Sequence, residues 1–322
     1  MDREELTSGI IFDIQGFSVH DGPGCRTLIF LKGCTLRCHW CSNPEGIHPW
    51  PEPMFNPDLC LGDGNCVAAC PYDAIESDKT GIHLHRESCD SCFTKSYPDR
   101  ENGIHQAVND QRTPATYSLP CASACLSGAI KTAGYPVSVG EIYQVISRDR
   151  NYWGSCGGIT LTGGEPLLQA DFATALLKKC YEAYIHTAIE TCGHLPWSHY
   201  ENALPWLDLI LFDIKHMDPG KHLAMTGVTN HLILENARKL AGIFKGKIIF
   251  RIPLIPSYND DDENLAAVRA LMEETGVGQV EVLPLHHLGR EKYRLLGRKY
   301  PMDPALIPPP ADVKTIRAKL SG

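Results

Sequence analysis

The stretch TLIFLKGCTLRCHWC, residues 27–41, sets an apolar run directly against three cysteines. Thr27 to Leu31 is rich in branched and aromatic residues and reads as a short strand buried on both faces. Gly33 then frees the chain to turn. Cys34, Cys38 and Cys41 follow within eight residues. A structural zinc site takes four ligands, and only His39 or Cys25 stands close enough in sequence to be the fourth. Full cysteine ligation of a four-iron cluster also takes a fourth thiolate. Three thiolates on such a cluster leave one iron open, able to chelate a substrate while the cluster supplies an electron. Trp40 is placed to shield a cluster from water and so to affect its potential.

Working outward, short apolar runs alternate with segments of helical period, the pattern of repeated βα units and a parallel sheet. Six strands are predicted, from Thr27 to Gly33, Gly158 to Thr162, Ile185 to Glu190, Asp208 to Lys215, Lys247 to Pro253 and Gln279 to Pro284. Ser138 and Glu141 form a capping box ahead of Ile142, Val145 and Ile146. Asp171 precedes a second helix, and a third runs from Asp262 to a stop at Gly276. Dense Cys, Pro, Gly and Asp break this rhythm between about Pro51 and Tyr135, which reads as an inserted module. The predicted organisation is a βα body over 8–50 and 136–322 with an insert over 51–135. A proline-rich extended stretch from Pro301 to Pro310 leads to a last helix from Ala311 to Leu320.

The chain has 322 residues, 43% hydrophobic and 21% charged, an ordinary composition for a soluble globular protein. No apolar run approaches the roughly 20 residues of a membrane-spanning helix. The N-terminus MDREELTSGI has neither the basic region nor the apolar stretch of a secretory signal, so the expected location is the cytoplasm. A formal net charge of −8 argues against nucleic acid as a partner. Fourteen cysteines in a reducing compartment point to metal binding or catalysis rather than disulfides. Cys156, Cys180 and Cys192 lie apart from the others and read as small buried core thiols.

Polar residues recur where the predicted strands end: Gly163, Gly164 and Glu165; Glu190 and Thr191; Asp213 and Lys215; Arg251; His286. In parallel βα barrels these ends face one rim, so the recurrence suggests one shared site, although each alone is also an ordinary strand-end residue. Asp213 and Lys215, two apart, point to the same face with Ile214 opposite. His20 to Gly24 needs its glycines for a tight exposed turn.

CTLRCHWC resembles the CxxxCxxC signature of the radical S-adenosylmethionine superfamily. HDGPGCRTLIFLKGCTLRCHWCSNPE is similar to the N-terminal signature of glycyl-radical enzyme activating enzymes, relatives of pyruvate formate-lyase activating enzyme. The similarity continues through LTGGEPLLQ, ETCG, FDIKHMD, RIPLIPSYND and LPLHHLGREKY, over about residues 8 to 300. It implies an α/β fold, a partial (β/α)6 radical S-adenosylmethionine barrel with an inserted ferredoxin-like iron–sulfur module. It implies a [4Fe-4S] cluster on Cys34, Cys38 and Cys41 whose open iron binds the amino and carboxylate groups of S-adenosyl-L-methionine. Reductive cleavage then gives methionine and a 5′-deoxyadenosyl radical, which takes hydrogen from a glycine of a partner glycyl-radical enzyme. Trp40, Ser42, Gly163, Gly164, Glu165, Ile214, Lys215, Arg251 and His286 are the implied cofactor contacts. Glu190, Thr191 and Asp213 are the implied site of a monovalent cation. Asp21 and Arg26 are expected where the partner's glycine loop enters. The resemblance also implies an electron donor such as flavodoxin or ferredoxin, and a monomer. Cys25, Leu285 and Ser257 depart from it, standing where Ile, Tyr and Gly are expected.

In the insert, Cys60, Cys66, Cys70, Cys89, Cys92, Cys121 and Cys125 resemble a two-cluster bacterial ferredoxin, in which the proline-flanked fourth cysteine of each run serves the other cluster. That pattern assigns Cys70, Cys89, Cys92 and Cys121 to one auxiliary cluster. The other receives Cys60, Cys66 and Cys125, with Asp63 standing where a cysteine is expected, as a weak ligand or at a three-iron site. The long Phe93 to Pro120 stretch interrupts the second run. A zinc ribbon is the alternative metal reading, and docking of the partner is an alternative to electron relay. For the whole chain the rivals are a radical enzyme acting on a small molecule or another peptide, and a non-catalytic electron carrier.

Overall fold

The computed structural model describes residues 5–79, 81–89, 92 and 118–321. Its strands in chain order are β1 Ser8–Ser18, β2 Arg26–Leu31, β3 Glu52–Phe55, β4 Ile75–Asp78, β5 Gly81–Leu84, β6 Ile130–Ala133, β7 Tyr135–Ser138, β8 Gly158–Gly163, β9 His186–Thr191, β10 Leu209–Asp213, β11 Lys247–Leu254 and β12 Val280–Pro284. Eight of them form one sheet in the order β12-β11-β10-β9-β8-β2-β1-β7. From β12 to β2 every neighbour is parallel and sequential, apart from the insert, as in a wound barrel. These six are the predicted strands, with bounds within two residues of expectation.

Two strands of this sheet were not foreseen. β1 pairs antiparallel with β2, and β7 pairs antiparallel with β1, extending one edge of the sheet. Only the first half of β1 is buried, and its register shifts twice, so its sequence carries no clean alternation.

Side-chain alternation divides the parallel sheet into two chemistries. One face sends Ile29, Leu31, Ile159, Leu161, Ile189, Ile210, Phe212, Phe250 and Ile252 into the main core. The helices Val139–Ser147, Ala170–Glu182, His231–Ile243, Asp262–Thr275 and Pro310–Ser321 cover that face with residues such as Ile142, Phe172, Leu240, Val268 and Ile316. Ser138 and Glu141 form the expected capping box, and Gly276 ends its helix with φ of 69°. The other face carries a small apolar floor of Ala188, Leu209, Leu211 and Ile249, and above it the polar groups described below. No helix among the described residues is long and apolar enough to cross a membrane.

Gln169, the last residue of LTGGEPLLQ, ties the antiparallel edge to the parallel body. Its side chain accepts from Ile10 N at 2.7 Å and donates to Ile10 O at 2.7 Å and Lys32 O at 2.8 Å, all buried. The insert has its own ribbons, β3 with β6 and β4 with β5, and a small core of Cys66, Ile75, Ile82, Leu119, Cys121 and Ile130. It is joined to the barrel through a buried lysine. Lys32, fully buried at the end of β2, donates to Glu45 O at 2.6 Å, to Ala133 O at 3.2 Å on β6 and to Glu52 Oε1 at 3.3 Å on β3. Burial pushes its pKa down to about 8 against the pull of Glu52. Residues 93–117, most of the interruption anticipated in the second cysteine run, lie outside the described residues.

Gln169→Ala removes one partner from three buried backbone groups. It is expected to cost about 3 kcal/mol, read as a lowered midpoint in guanidinium unfolding, because unsatisfied buried groups cost more than the bonds are worth. An unchanged midpoint would contradict the tie.

Candidate active site

The cysteine nest leaves β2 and is stitched to its surroundings by backbone bonds. Gly33 N donates to Gly46 O at 2.8 Å, Cys34 N to Ile47 O at 3.0 Å, Arg37 N to Thr226 O at 2.7 Å and His39 N to Met225 O at 3.1 Å. The segment is thus fixed between the turn at Pro44–Gly46 and the end of the helix Pro219–Thr226. Burial pushes the Cys38 thiol up to about 12 and raises Cys41. Such thiols stay protonated unless a cation replaces the proton. The Cys34 sulfur accepts Leu36 N at 3.4 Å, and the Cys41 sulfur is bonded by the Asn43 amide. Amide donors on sulfur are the surroundings that an iron–sulfur cluster uses. Trp40, 8% exposed, packs with Ile255, Leu285 and Met302 beside Cys38, which fits a water shield. Among the described residues no group of three or more His, Cys, Asp or Glu is drawn together as a single metal ion would require.

The glycine pair behaves differently from expectation. Gly163, at φ of 107°, and Gly164 do allow a close backbone approach, but the approaching backbone is the nest's own. A Cβ on Gly164 would lie 2.1 Å from Gly33 O. The Gly164 amide is committed to Leu31 O at 2.8 Å, and the Glu165 amide to Gly33 O at 2.7 Å. The glycines therefore seat the cysteine loop against β8. Glu165, fully buried, accepts from Thr191 Oγ1 at 2.9 Å and from Cys192 N at 2.8 Å, tying the β8 loop to the end of β9. Burial, with Cys192 beside it, pushes its pKa well above the usual carboxylate range.

A column of charge runs along the inner face. Arg251 forms an ion pair with Glu190 and lies 3.8 Å from Asp21 Oδ1. Its register partner on β10 is Asp213, which accepts from Lys215 Nζ at 2.7 Å. Burial works against the charge of Lys215, but Asp213, Cys38 and Cys192 outweigh it and raise its pKa. In the same way burial opposes Arg251, and Glu190, Asp213 and Asp21 more than restore its charge. Burial raises Glu190, opposed by Arg251 and reinforced by Asp21. The column Asp21, Glu190, Arg251, Asp213, Lys215 thus leads from the HDGPG loop to Cys38. The Nε of Arg251 is buried without a partner among the described residues.

Six residues sit otherwise than expected. Arg26 is fully buried. Its guanidinium donates to Thr160 Oγ1 at 2.7 Å, Pro23 O at 3.2 Å, His186 O at 3.3 Å and, at short range, Ile159 O. Burial lowers its pKa to about 10 against Asp208 and Asp21. It pins the HDGPG loop to the starts of β8 and β9 and offers nothing to a partner. Ile214 packs its side chain into the main core. The side chains of Glu190, Thr191 and Asp213 do not converge as a cation site: Glu190 is held by Arg251 and Thr162, Asp213 by Lys215, and Thr191 turns to Glu165 and Tyr200. Asp63 is exposed and spends its carboxylate on Asn65 N at 3.2 Å and Asn65 Nδ2 at 3.0 Å. His286, just past β12, is exposed at the rim, and the backbone of Ser42 packs on Gly289.

Of the three scattered cysteines, Cys180 lies in the main core as expected, but Cys156 is exposed. Cys192 is buried against the nest, with its sulfur 3.9 Å from Thr35 Oγ1. In the insert, Cys70, Cys89, Cys92 and Cys121 line one pocket with Pro71 and Leu119. Cys66 instead feels Cys125 and Cys60 as its cysteine neighbours. Sulfurs here also receive amides, Ala74 N on Cys70 at 3.2 Å and Ile130 N on Cys125 at 3.3 Å.

The family model described as the radical SAM superfamily matches residues 87–268. This chain belongs to the radical SAM superfamily. A 4Fe-4S binding domain model matches residues 53–76, within the insert. The isethionate sulfite-lyase activating enzyme of Oleidesulfovibrio alaskensis is 39% identical over 311 residues, covering 95% of this chain and 92% of that protein. The 4-hydroxyphenylacetate decarboxylase activating enzyme of Clostridioides difficile strain 630 is 38% identical over 307 residues, covering 93% and 89%. Within the radical SAM superfamily the chain is therefore a glycyl-radical enzyme activating enzyme. A solved domain of pyruvate-formate lyase-activating enzyme from Bacteroides vulgatus is 29% identical with a TM-score of 0.37, covering 44% of this chain and 93% of that one. The cysteine nest suits the [4Fe-4S] cluster and S-adenosylmethionine of this superfamily.

Arg26→Lys keeps the charge but loses the planar fork that reaches several acceptors. Amide hydrogen exchange across residues 18–25 is expected to accelerate at least about tenfold, the effect of about 1.4 kcal/mol on local opening. Native exchange in that loop would show that the guanidinium does not hold it.

Proposed function

We propose that this activating enzyme binds S-adenosylmethionine between the nest and Lys215, and receives the partner's glycine loop over Asp21. The observation that carries the reading is the charged column in which Arg251 pairs with Glu190 and Asp21, and its register partner Asp213 pairs with Lys215, beside Cys38. When bound on Cys34, Cys38 and Cys41, the cluster supplies the electron that splits S-adenosylmethionine into methionine and a 5′-deoxyadenosyl radical. Lys215, cationic and buried, is suited to the methionyl carboxylate, and Asp213 to the amino group. Arg251, with its free Nε, and the exposed His286 at the rim bound the space toward the nucleoside. Trp40 excludes water on the Cys38 side. Asp21 is fixed by Ser18 Oγ at 2.5 Å and through its carbonyl by Thr160 Oγ1 at 2.8 Å, so a partner backbone meets a preformed acceptor. A partner carrying a glycyl radical is implied by the named relatives, one concerned with a sulfite-lyase and one with a decarboxylase.

The insert is proposed to hold two auxiliary clusters that relay electrons from a donor such as flavodoxin or ferredoxin. The pocket shared by Cys70, Cys89, Cys92 and Cys121 supports a four-thiolate cluster. Cys60, Cys66 and Cys125, with Asp63 occupied by Asn65, favour a three-iron site. A monomer in the cytoplasm completes the reading.

Cys38→Ala is expected to abolish both 5′-deoxyadenosine formation under dithionite and the glycyl radical signal of the partner, whereas Cys180→Ala keeps both. Equal behaviour of the two variants would refute the assignment. Anaerobically isolated protein is expected to contain iron and acid-labile sulfide well above one four-iron cluster per chain. Content at or below that level removes the auxiliary clusters from the proposal.

A further inference from the structure

We propose that Leu59, Leu61 and Leu126 form the port at which a small one-electron carrier protein docks on the insert, handing its electron to the cluster held by Cys60, Cys66 and Cys125. The proposal rests on the reading of the insert as a two-cluster relay and is independent of the glycyl-radical partner.

Cys60, Cys66 and Cys125 reach the small core of the insert from three separate segments. Two of them hang from one end of the β3–β6 ribbon, whose register runs from Glu52 opposite Ala133 to Phe55 opposite Ile130. At the Phe55 end Asn56 N donates to Ala129 O at 2.7 Å, Cys60 N to Pro57 O at 3.1 Å, and Ile130 N to the Cys125 sulfur at 3.3 Å. The Glu52 end is the one that Lys32 grips, two residues before Cys34. There Pro51, Glu52 and Pro53 line the pocket of Cys70, Cys89, Cys92 and Cys121. The two ends are roughly 10 Å apart along the strand. The ribbon thus sets the thiol groups in series, with the Cys70 group at the end tied to the strand that presents the nest.

The Cys60 end is also where apolar side chains stand in water. Leu59 and Leu61, on either side of Cys60, are 49% and 75% exposed, and Leu126, next to Cys125, is 82% exposed. One exposed leucine is ordinary, but three within one residue of two thiols of the same group mark a contact surface. Leu119, two residues before Cys121, is by contrast buried. The carboxylates beside the patch are already engaged, Asp58 with Arg294 at 3.1 Å and Asp63 with Asn65. What the site offers is therefore apolar surface flanking a redox group. Electron transfer falls steeply with distance, so the occupant fitted to such a place is a protein that carries an electron. The small, short-lived contact of such a carrier needs no more area than this. One electron leaves the reduced carrier and enters the cluster, and no bond is made or broken.

The test is stopped-flow reduction of the full-length anaerobic protein, followed by bleaching of its cluster absorbance without S-adenosylmethionine. The donors are a reduced two-cluster ferredoxin, a fully reduced flavodoxin and dithionite. In the double variant Leu61→Ser, Leu126→Ser the rate with at least one carrier protein is expected to fall at least about tenfold. The dithionite rate is expected to stay native, because so small a reductant needs no docking surface. Leu61→Met with Leu126→Met keeps the apolar surface and is expected to keep the native rates, as is Tyr184→Ser, an exposed residue beyond the helix Ala170–Glu182. Native rates with both carriers in the serine variant would overturn the proposal and leave the leucines to another partner. Equal slowing with dithionite, or loss of iron from the serine variant, also overturns it, since the leucines would then be shaping the site itself. Failure of the underlying reading is seen separately, as a native protein with iron for only one four-iron cluster before any donor is added; the port then falls with it.

Discussion

Compensation of charge inside the sheet is the constraint on which this structure depends. The inner face of the parallel strands holds two cations and three carboxylates within a few residues of buried thiols. Taking any one of them from water without a partner costs several kcal/mol. Alternation along β10 and β11 solves the problem by setting Asp213 beside Arg251 and aiming Lys215 back at Asp213. The HDGPG loop contributes to the same balance through Asp21, so its position and the protonation of Glu190 are coupled. The loop is held in turn by Arg26, whose donors reach the beginnings of two strands.

The six parallel strands were legible because a strand covered on both faces must be apolar nearly throughout, and such runs stand out against helical segments. β1 and β7 were not, since a half-exposed, bulged strand and a four-residue edge leave no periodic signal. The same physics separates the legible from the hidden in the site. Asp213 and Lys215 are neighbours in sequence, so the period of a strand predicts their common face. Cys192 meets the nest across 157 residues from Thr35, and nothing local in ETCG distinguishes it from a core thiol. Arg26 reads as a functional arginine in HDGPGCR because its acceptors, Thr160, Ile159 and His186, are more than 130 residues away. Gly163 and Gly164 allow another backbone to come close, as a small residue there would permit in any fold. Which backbone approaches is a tertiary fact.

In the insert the sequence pattern and the structure divide the thiols in the same way. The proline-flanked Cys70 joins Cys89, Cys92 and Cys121, while Cys60, Cys66 and Cys125 group apart. What the sequence left open was the role of Asp63. Its short side chain closes a turn on Asn65, a local competition that Asp wins readily.

Lys32 ties the insert to the barrel. Two of its three acceptors, Ala133 O and Glu52 Oε1, lie on the ribbon that opens and closes the insert, and the lysine stands two residues before Cys34. Excising residues between those strands together with the ribbon strands an ammonium group in the protein interior, at a cost of about 3–5 kcal/mol. The strand that presents the cysteines would bear that cost directly. A shortened chain has to replace this lysine at the same time, so a single position just past β2 couples the folding of the two parts.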